Sequence, residues 1–446
     1  MPRPYVRWWW LACAVLGVMI RGVQAGEWPQ ILGPNRNGTA VGERLGDTWP
    51  DPGPSTLWSR PVGSGFAGVA VDDGVAVLFH RLADKEIVEA VDAASGELRW
   101  KSAFPATYVP VISDDDGPRA TPVIERGRVY VYGAMGNLHC LELSTGRTVW
   151  SRDTYEEFNS KEPFQGEPPE GYFGMASTPI VEGDKVLVNV GGDAQGAGIV
   201  AFSRETGQTE WKATHERAGY SSPVGATVDG TRHVIFVTRL SVLSLDPESG
   251  NVRFRFPFGR LGPTVNAASP VVFDGHVFVT ASYGIGAVLA RIGRAEDDVL
   301  WRDEKVLASQ YTTCVEHEGC LFGIHGRQDG RPADLKCFDP KSRDVHWTQP
   351  LFGYATLLKA GDKLVILKTD GVLVLAAANV DRYEELARAR IAETTTRALP
   401  ALAHGRFYVR DTRTLQCLDL AEKKGSGSRV QHSASNRDPA GLNPEP

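Results

Sequence analysis

The chain has 446 residues, and 42% of them are hydrophobic, which is enough apolar side chain for a large core. The formal net charge is −6, and no block of five or six basic residues occurs, so we expect no nucleic-acid partner. The sequence contains no Gly-x-Ser-x-Gly elbow, Walker loop or HExxH motif, which leaves hydrolase and nucleotide chemistry without support.

Residues 1–25 have the composition of a secretory signal peptide. Arg3 and Arg7 precede an apolar run from Trp8 to Ile20, and a small-residue cleavage site, Val-Gln-Ala, follows. This run of 13 residues is shorter than the roughly 20 that a spanning helix needs, which favours a cleaved signal over an uncleaved anchor. We therefore expect a mature chain that begins near Gly26, has no transmembrane segment and resides in the periplasm or outside the cell.

The next segment, residues 26–54, is rich in Pro and Gly. Such a composition interrupts regular secondary structure. We expect an extended segment that lies across the repeating units that follow.

From residue 55 onward the chain repeats a hairpin pattern. An apolar alternation of about five residues, an Asp-Gly or Glu-Gly step and a second alternation predict two antiparallel strands joined by a tight turn. The spacing between copies is 43 to 57 residues, and the longest intervals contain the insertions 104–118 and 151–174, which should form loops on one face. The Pro or apolar residue that anchors each copy lies at position 69, 122, 179, 223, 270, 314, 357 or 400.

A second motif, Ala-x-Asp-x-x-x-Gly-x-x-x-Trp, completes each unit, as in AVDAASGELRW (90–100). It predicts a third strand that ends in Asp, a turn in which Gly supplies a positive φ, and a fourth strand that carries Trp. The Trp ring can pack against a small residue in its own unit or in the neighbouring one, and its N–H can reach a backbone acceptor. The aromatic residues predicted to dock in this way are Trp58, Trp100, Trp150, Trp211, Phe254, Trp301 and Trp347.

Four-stranded units of this period predict an all-β fold, an eight-bladed β-propeller of four-stranded antiparallel blades over residues 55–420. The last unit, 398–420, has three predicted strands and no Trp, whereas STLWSRPV (55–62) is a Trp strand with no strands before it. We predict that the strand around Trp58 joins the last blade and closes the ring, so that no sheet edge is left open. Residues 421–446 are polar and predict a disordered tail. We expect a monomer.

The repeated motif resembles the tryptophan-docking motif of quinoprotein propellers. Five copies at fixed spacing carry the resemblance, which covers residues 56–420. Quinone-dependent alcohol dehydrogenases and BamB-type outer-membrane assembly factors share this motif. WPQILGPNRNG (28–38), LWSRPVGSGFA (57–67) and ELARARI (385–391) also resemble secreted PQQ-binding-like repeat proteins. The resemblance implies the propeller, whereas function has to be argued from the site.

Two functions are implied by the resemblance. In the quinoprotein enzymes, calcium and pyrroloquinoline quinone (PQQ) lie in the central channel, many members carry two adjacent cysteines over the cofactor, and an Asp is catalytic. This sequence has no vicinal Cys pair, and its acidic residues cannot be matched to the calcium ligands, so we predict no cofactor and no catalytic residue. We favour a secreted binding or scaffold module that contacts envelope proteins or a small ligand, in the manner of BamB-type factors. A PQQ-dependent oxidoreductase with Ca²⁺ is the alternative.

The cysteines and acidic residues predict no metal site. Five cysteines follow the signal, and an odd number argues against a disulfide framework. Cys314-x-x-His317-x-x-Cys320 has zinc-like spacing, but Cys314 occupies the repeat anchor, the other two straddle a hairpin, and no fourth ligand is suitably spaced. The remaining cysteines occupy a slot that is Ala or Ser in other copies, which favours small, buried, inert thiols: Cys140, Cys337 and Cys417. The run 114–116, Asp-Asp-Asp, lacks the ordered spacing of a calcium loop and predicts a solvated acidic loop.

One set of residues forms a binding hypothesis. Side chains that precede each innermost strand should rim the central channel on the face that carries the insertions. Aromatic and polar groups that converge at a concavity are typical of peptide or small-molecule sites. The alternative is that the aromatic rings fill the channel mouth as packing. The rim residues are Phe66, Arg119, Tyr172 (or Phe173), Tyr220, Asn266, Tyr311, Tyr354 and Arg397.

Overall fold

The structure, a computed structural model, describes residues 26–158, 166–168, 170–293 and 298–422. The signal peptide predicted for residues 1–25 lies outside the described residues, as does the predicted tail beyond residue 422. Within the described ranges, no helix has both the length and the apolar character that a bilayer crossing requires.

In the described residues, 32 strands form eight four-stranded antiparallel blades, and one further two-residue strand pairs in parallel with the inner strand of one blade. Two strands precede the blades, β1 (Thr39–Ala40) and β2 (Thr56–Pro61). From the inner to the outer strand, blade 1 is β3 (Val69–Asp72), β4 (Val75–Leu82), β5 (Lys85–Asp92) and β6 (Leu98–Pro105); blade 2 is β7 (Val123–Glu125), β8 (Arg128–Tyr132), β9 (Asn137–Glu142) and β10 (Thr148–Asp153); blade 3 is β11 (Ile180–Glu182), β12 (Lys185–Gly192), β13 (Ala197–Ser203) and β14 (Thr209–Ala213); blade 4 is β15 (Val224–Val228), β16 (Thr231–Val237), β17 (Ser241–Leu245) and β18 (Val252–Pro257).

The second half of the ring repeats this order. Blade 5 is β19 (Val271–Phe273), β20 (His276–Ala281), β21 (Gly286–Arg291) and β22 (Val299–Asp303); blade 6 is β23 (Val315–His317), β24 (Cys320–His325), β25 (Asp334–Phe338) and β26 (Val345–Gln349); blade 7 is β27 (Ala355–Ala360), β28 (Lys363–Lys368), β29 (Val372–Ala377) and β30 (Glu385–Arg390); blade 8 is β31 (Ala401–Ala403), β32 (Arg406–Arg410), β33 (Thr414–Asp419) and β2. Among the described residues, one short helix, α1 (Thr154–Phe158), follows β10, and a single 3₁₀ turn (Asp193–Gln195) follows β12.

Burial follows the position of a strand within its blade. The middle strands lie between two neighbouring blades, so a strand such as β8 is buried along almost its whole length. An outer strand such as β6 faces solvent on one side and alternates between buried and exposed residues. The eightfold repeat and its four-stranded blades, predicted from the sequence, are confirmed.

The N-terminal strand closes the ring. β2 pairs with β33, and Trp58 lies opposite Cys417, so the last blade takes its outer strand from the start of the propeller. The inner strand β3 contacts both β7 and β31, which places blade 1 between blades 2 and 8. The predicted closure by the strand around Trp58 is confirmed.

The seams between blades share one arrangement of aromatic side chains. The indole N–H of Trp58 donates to Ala93 O of blade 1 at 3.2 Å. A Cβ on Gly96, which has φ +73°, would lie 2.7 Å from Trp58 Cδ2, so the ring requires glycine there. In five other Trp residues the indole N–H also donates to a backbone carbonyl of the next blade. The pairs are Trp100 with Leu143, Trp150 with Arg204, Trp211 with Pro247, Trp301 with Pro340 and Trp347 with Asn379. Phe254, which lacks the donor, stacks on Phe256 instead.

Hydroxyl groups before the anchor residues link the inner strands. Thr178 Oγ1 accepts a hydrogen bond from Thr121 N at 3.0 Å, and Ser222 Oγ accepts one from Thr178 N at 3.0 Å. Thr121 Oγ1 likewise accepts from Gly68 N, and Thr313 Oγ1 from Ser269 N. At these four seams, the hydroxyl residue before the anchor position therefore connects one blade to the next, and the anchor is Pro in three of them and Cys314 in the fourth.

The N-terminal segment lies inside the channel. Trp28 and Val71 of β3 exchange two backbone hydrogen bonds, and Ile124 N of β7 donates to Pro29 O at 2.8 Å. Further along, β1 runs parallel to the inner strand β27. The segment thus contacts the inner strands of several blades rather than only one face of the propeller. It then passes outward, where Leu45 forms a bridge with Ala421.

Candidate binding surface at the channel mouth

Two faces of the propeller differ in what they carry. The turns between first and second strands, such as Asp73–Gly74, lie on one face, termed the hairpin face. The connections between blades, including both insertions, lie on the opposite face, termed the mouth face. The predicted rim residues precede the inner strands and therefore lie on the mouth face, where the structure brings them together in two sets.

The first set is a cation–aromatic arc formed by Arg119, Phe66, Arg397, Gln328 and Tyr311. The guanidinium groups of Arg119 and Arg397 lie 5.7 and 5.3 Å from the centroid of the Phe66 ring. Arg397 Nε donates to Gln328 Oε1 at 2.7 Å, and the Tyr311 hydroxyl donates to the same oxygen at 2.7 Å. Gln328 therefore joins Arg397 to Tyr311, and the Phe66 ring joins Arg397 to Arg119, so that four rim residues form one connected set. Gln328 was not among the rim residues predicted from the sequence.

Tyr354 supports this arc from below. Its ring lies 4.5 Å from that of Tyr311, and only 4% of its surface is exposed. Its hydroxyl accepts hydrogen bonds from the backbone N–H groups of Tyr311 and Thr312 at 2.7 and 3.0 Å. Burial raises the pKa of Tyr354. Tyr354 therefore holds the arc in position. Its contacts match the alternative in which the aromatic rings fill the channel mouth as packing.

The second set, Tyr172, Tyr220 and Asn266, makes internal contacts. Tyr220 accepts a hydrogen bond from Tyr172 N at 2.9 Å, and its ring meets Phe173 edge-on at 5.5 Å. Asn266 is 1% exposed and donates from Nδ2 to Arg239 O at 2.9 Å. Of this set, Tyr172 alone is partly open to solvent. Ligand or partner binding by any rim residue stays a prediction.

An exposed apolar tip rises beside the arc, at the end of the insertion 104–118. The tip comprises residues 109–112, Val-Pro-Val-Ile, in which Val109, Val111 and Ile112 are 75%, 52% and 51% exposed. Contiguous apolar side chains of this kind on a soluble protein mark interaction surfaces. The sequence signal for this surface is the run of apolar residues within an insertion, which was not among the predicted site residues.

Polar contacts hold the base of this tip in place. Asp115 Oδ2 accepts a hydrogen bond from Gly65 N at 2.7 Å, and Asp116 Oδ1 accepts one from Ser64 Oγ at 2.5 Å. Arg81 donates to the carbonyl of Tyr108, a residue that is 2% exposed. The prediction of a solvated acidic loop is therefore wrong for Asp115, whose side chain is largely buried, whereas Asp116 is partly exposed and also anchors the loop.

A buried ion pair fixes the second insertion to blade 4. Arg239 donates from Nε to Glu167 Oε2 at 2.9 Å, and the two side chains are 4% and 7% exposed. Gly262 N also donates to Glu167 Oε1 at 2.9 Å. Because a buried charge without its partner is costly, this pair holds the described part of the insertion against the propeller.

Near the base of the tip, Glu86 is a buried carboxyl with an altered pKa. It is 3% exposed, and burial raises its pKa to about 7, although its Oε1 accepts a hydrogen bond from Ala134 N at 2.9 Å. The folded protein therefore retains a proton at this position that the unfolded chain releases near pH 4.5.

We expect Glu86→Gln to remove a pH dependence of stability. Below pH 4.5 the carboxyl is protonated in both states; between 4.5 and 7 only the folded state keeps the proton, so stability falls as pH rises. At about 1.4 kcal/mol per pKa unit, the loss amounts to about 3 kcal/mol. Chemical denaturation at pH 5 and pH 8 should show the variant gaining stability relative to the natural protein at pH 8.

Asp92→Asn is the matched control on the same strand. Hydrogen bonds from Arg99 and from the Ser95 and Ala94 backbone lower the pKa of Asp92 to about 2, so its ionisation does not change between pH 5 and 8. Its difference from the natural protein should be constant over that range. A constant difference for Glu86→Gln as well would contradict the assignment of the proton to Glu86.

The channel itself is crossed by the side chain of Arg36, from the N-terminal segment. This residue is 2% exposed, and its guanidinium donates to Pro223 O at 3.0 Å and to Pro179 O, at the starts of the inner strands of blades 4 and 3. Burial lowers the pKa of Arg36 to about 9, which leaves the group charged at neutral pH.

This occupied channel bears on the PQQ and Ca²⁺ that the resemblance implies. Ca²⁺ takes six to eight oxygen ligands, usually with several carboxylates. Among the described residues, the one group of three potential metal-binding side chains lies on blade 6, and the guanidinium at the channel is a cation that would repel another. The described channel residues therefore do not fit a calcium-bound quinone.

The zinc-like run is dispersed in the structure. Cys314 is 1% exposed, and its Sγ approaches Gly323 and lies beside Leu307. His317 and Cys320 face each other across the β23–β24 hairpin. All five cysteines of the described chain are free and buried. Burial raises the pKa of Cys140 and of Cys417 to about 12, which keeps both thiols protonated.

An eight-bladed ring of four-stranded antiparallel blades, closed by an N-terminal strand, defines the protein as an eight-bladed β-propeller. The family model described as "Outer membrane protein assembly factor BamB" matches residues 84–349. The chain belongs to this family.

The similar proteins include both a quinone alcohol dehydrogenase and an outer-membrane protein assembly factor. The dehydrogenase subunit of a quinone alcohol dehydrogenase from Komagataeibacter europaeus is 28% identical over 157 residues, 32% of this chain and 18% of that protein. The outer membrane protein assembly factor BamB of Kangiella koreensis is 26% identical over 205 residues, 45% of each chain. The chain thus spans less than half the length of either curated relative.

A solved structure gives the same fold. The quinohemoprotein alcohol dehydrogenase from Comamonas testosteroni superposes with a TM-score of 0.63 at 16% identity, over 90% of this chain and 82% of that one. At this identity the likeness concerns the propeller alone.

Proposed function

We propose that the protein is a binding module of the cell envelope that contacts a protein partner during outer-membrane protein assembly. Membership of the family described as assembly factor BamB supports the process, and the signal predicted in residues 1–25 supports export. The mouth face is the contact surface. The observation that carries the proposal is the exposed apolar tip, residues 109–112, on a base held by Asp115 and Asp116.

The chemistry of this face suits a protein partner. Apolar side chains that project from a fixed base can enter a pocket without ordering a flexible loop first, which lowers the entropic cost of binding. Beside them, Arg397 is exposed, and it donates to Gln328, a neutral side chain. Aromatic and Arg side chains are enriched among the residues that contribute most to interface affinity. A partner with an apolar pocket flanked by carboxylates would match both features.

We expect the double change Val111→Asp and Ile112→Asp to weaken partner binding by about 10- to 100-fold, the loss expected for two central apolar contacts. The tagged full chain would be crosslinked in the envelope of its own organism, and the outer-membrane assembly proteins recovered with it would be quantified. Leu98→Asp is the control, since Leu98 is an apolar side chain, 49% exposed, at the start of the outer strand β6 near the hairpin face. It should leave recovery unchanged.

Two results would contradict the proposal. The first is equal recovery of assembly proteins with the natural chain and the Val111→Asp, Ile112→Asp variant. The second is alcohol-dependent dye reduction by the purified protein after addition of PQQ and Ca²⁺, which would favour the oxidoreductase that its dehydrogenase relatives exemplify.

A further inference from the structure

We propose that blade 6 holds a thiophilic metal ion between the side chains of Cys320, Cys337 and His346. One ligand atom from each residue lies within 4.8 Å of the other two. Cys320 Sγ is 3.9 Å from His346 Nδ1. The site lies near the hairpin face, away from the mouth, and is independent of the function proposed above.

Three strands of the blade bring the ligands together. Cys320 is the first residue of β24, and Cys337 lies on β25 opposite Phe322, so the two thiols project from the same side of the sheet. His346 follows the first residue of β26, where the pairing with β25 shifts by one residue. Such a bulge redirects the side chain of the extra residue, here toward the cysteines.

The combination is specific to blade 6. Where blade 6 has Cys320, the other blades have Val75, Arg128, Lys185, His233, His276, Lys363 and Arg406. Where it has Cys337, they have Ala90, Cys140, Ala201, Ser244, Leu289, Leu375 and Cys417. At the bulge they have Leu57, Arg99, Val149, Glu210, Arg253, Leu300 and Leu386.

Blades 2 and 8 provide an internal comparison. Each has a cysteine in the slot of Cys337, but the Cys140 thiol faces Tyr130 and lies near Arg128. A cationic side chain beside a lone thiol repels a metal ion, whereas Cys320 replaces that cation with a second sulfur. Blade 6 therefore differs from its neighbours at the positions that matter for ligation.

The donor set determines the class of metal. Two sulfurs and one imidazole favour Zn²⁺ or Cu⁺ over Mg²⁺ and Ca²⁺, which prefer oxygen. With Zn–S near 2.3 Å and Zn–N near 2.0 Å, the ligand atoms of a tetrahedral site lie roughly 3.5–3.8 Å apart. Because the three ligand atoms here lie within 4.8 Å of one another, side-chain movements that shift them by about 1 Å complete the site. His346 is exposed, which gives the ion a route from solvent and leaves a fourth position for water.

Protons have to leave when the ion binds. Burial raises the pKa of both Cys320 and Cys337, so both thiols are protonated without metal. His346 Nδ1 lies 3.2 Å from Val380 O, and ligation through this nitrogen displaces any proton shared with that carbonyl. Binding therefore releases the thiol protons to solvent, as at other thiolate sites.

The test is a titration of the full chain, purified under reductant and stripped of metal, with Co²⁺ as the spectroscopic probe. We expect one Co²⁺ per chain, a thiolate-to-cobalt charge-transfer band, and loss of that band when Zn²⁺ is added. Cu⁺, buffered by a chelator, forms a second arm that distinguishes the two metals. Zn²⁺ should also raise the Tm.

Variants identify the ligands. Cys320→Ser and His346→Ala should each weaken Co²⁺ binding by at least about 100-fold, since even the loss of an outer contact costs 10- to 100-fold. Cys140 occupies in blade 2 the position that Cys337 has in blade 6, so a Cys140→Ser protein should bind Co²⁺ as the natural protein does. The proposal is overturned if the natural protein shows no charge-transfer band, if His346→Ala retains it, or if chain taken from its native compartment carries a Cys320–Cys337 disulfide.

Discussion

Replacement of Trp58 with alanine should lower the free energy of unfolding by about 3–5 kcal/mol, the range for loss of a buried aromatic side chain. Trp58 is 8% exposed, its ring lies 5.9 Å from that of Tyr408, and its N–H donates to Ala93 O. Because β2 is far in sequence from β33, its partner, the change should also release the strand that closes the ring. Chemical denaturation gives the first effect, and amide hydrogen exchange of residues 56–61 gives the second.

Trp211→Ala is the matched control, because Trp211 makes the same kind of contact at an interior seam. Its N–H donates to Pro247 O at 3.1 Å, and its ring approaches Gly250 as that of Trp58 approaches Gly96. We expect a comparable loss of stability without faster exchange in β2. Unchanged exchange of residues 56–61 in the Trp58→Ala protein would mean that the ring stays closed without the indole.

The closure of the ring could be predicted because its evidence is local to the sequence. A Trp strand without preceding strands and a final unit without a Trp strand complete each other, and the pairing of Trp58 with Cys417 follows from the repeat register. The same register placed each docking aromatic residue at the start of an outer strand. Periodicity along the chain thus contains most of the information about blade number, strand order and seams.

The candidate site was less accessible from the sequence. Repeat position assigned Tyr354 and Arg397 to the same rim, but burial separates them, since one packs beneath the arc and the other is exposed. The tip at residues 109–112 belongs to an insertion outside the repeat, so no register located it. The blade 6 cluster depends on a bulge that redirects His346, and pairing irregularities are not visible in a strand pattern.

The path of the N-terminal segment was also beyond the reach of sequence patterns. Its Pro and Gly content predicts the absence of long strands, but not which cavity the chain enters. The structure shows why it enters the channel: Trp28 is 1% exposed against β3, and Arg36 reaches carbonyls at the starts of two inner strands. In those carbonyls, the buried guanidinium finds acceptors that replace water.

Replacement of Arg36 with methionine should lower the free energy of unfolding by about 2–4 kcal/mol. The change leaves Pro179 O, Pro223 O and Gln30 Oε1 without their shared donor, and each buried acceptor without a partner costs about 1–3 kcal/mol. Removal of a poorly compensated buried charge offsets part of this cost. Chemical denaturation at neutral pH measures the difference.

The Arg36 change should also loosen the segment that closes the channel, which limited proteolysis between residues 26 and 55 would detect. Arg44→Met is the control: Arg44 belongs to the same segment but is exposed, so its loss should alter neither stability nor cleavage. Arg36→Lys keeps the charge but not the forked donor geometry, and it should fall between the natural protein and Arg36→Met. If Arg36→Met matches Arg44→Met in both measurements, β1 and Trp28 hold the segment in the channel without the guanidinium.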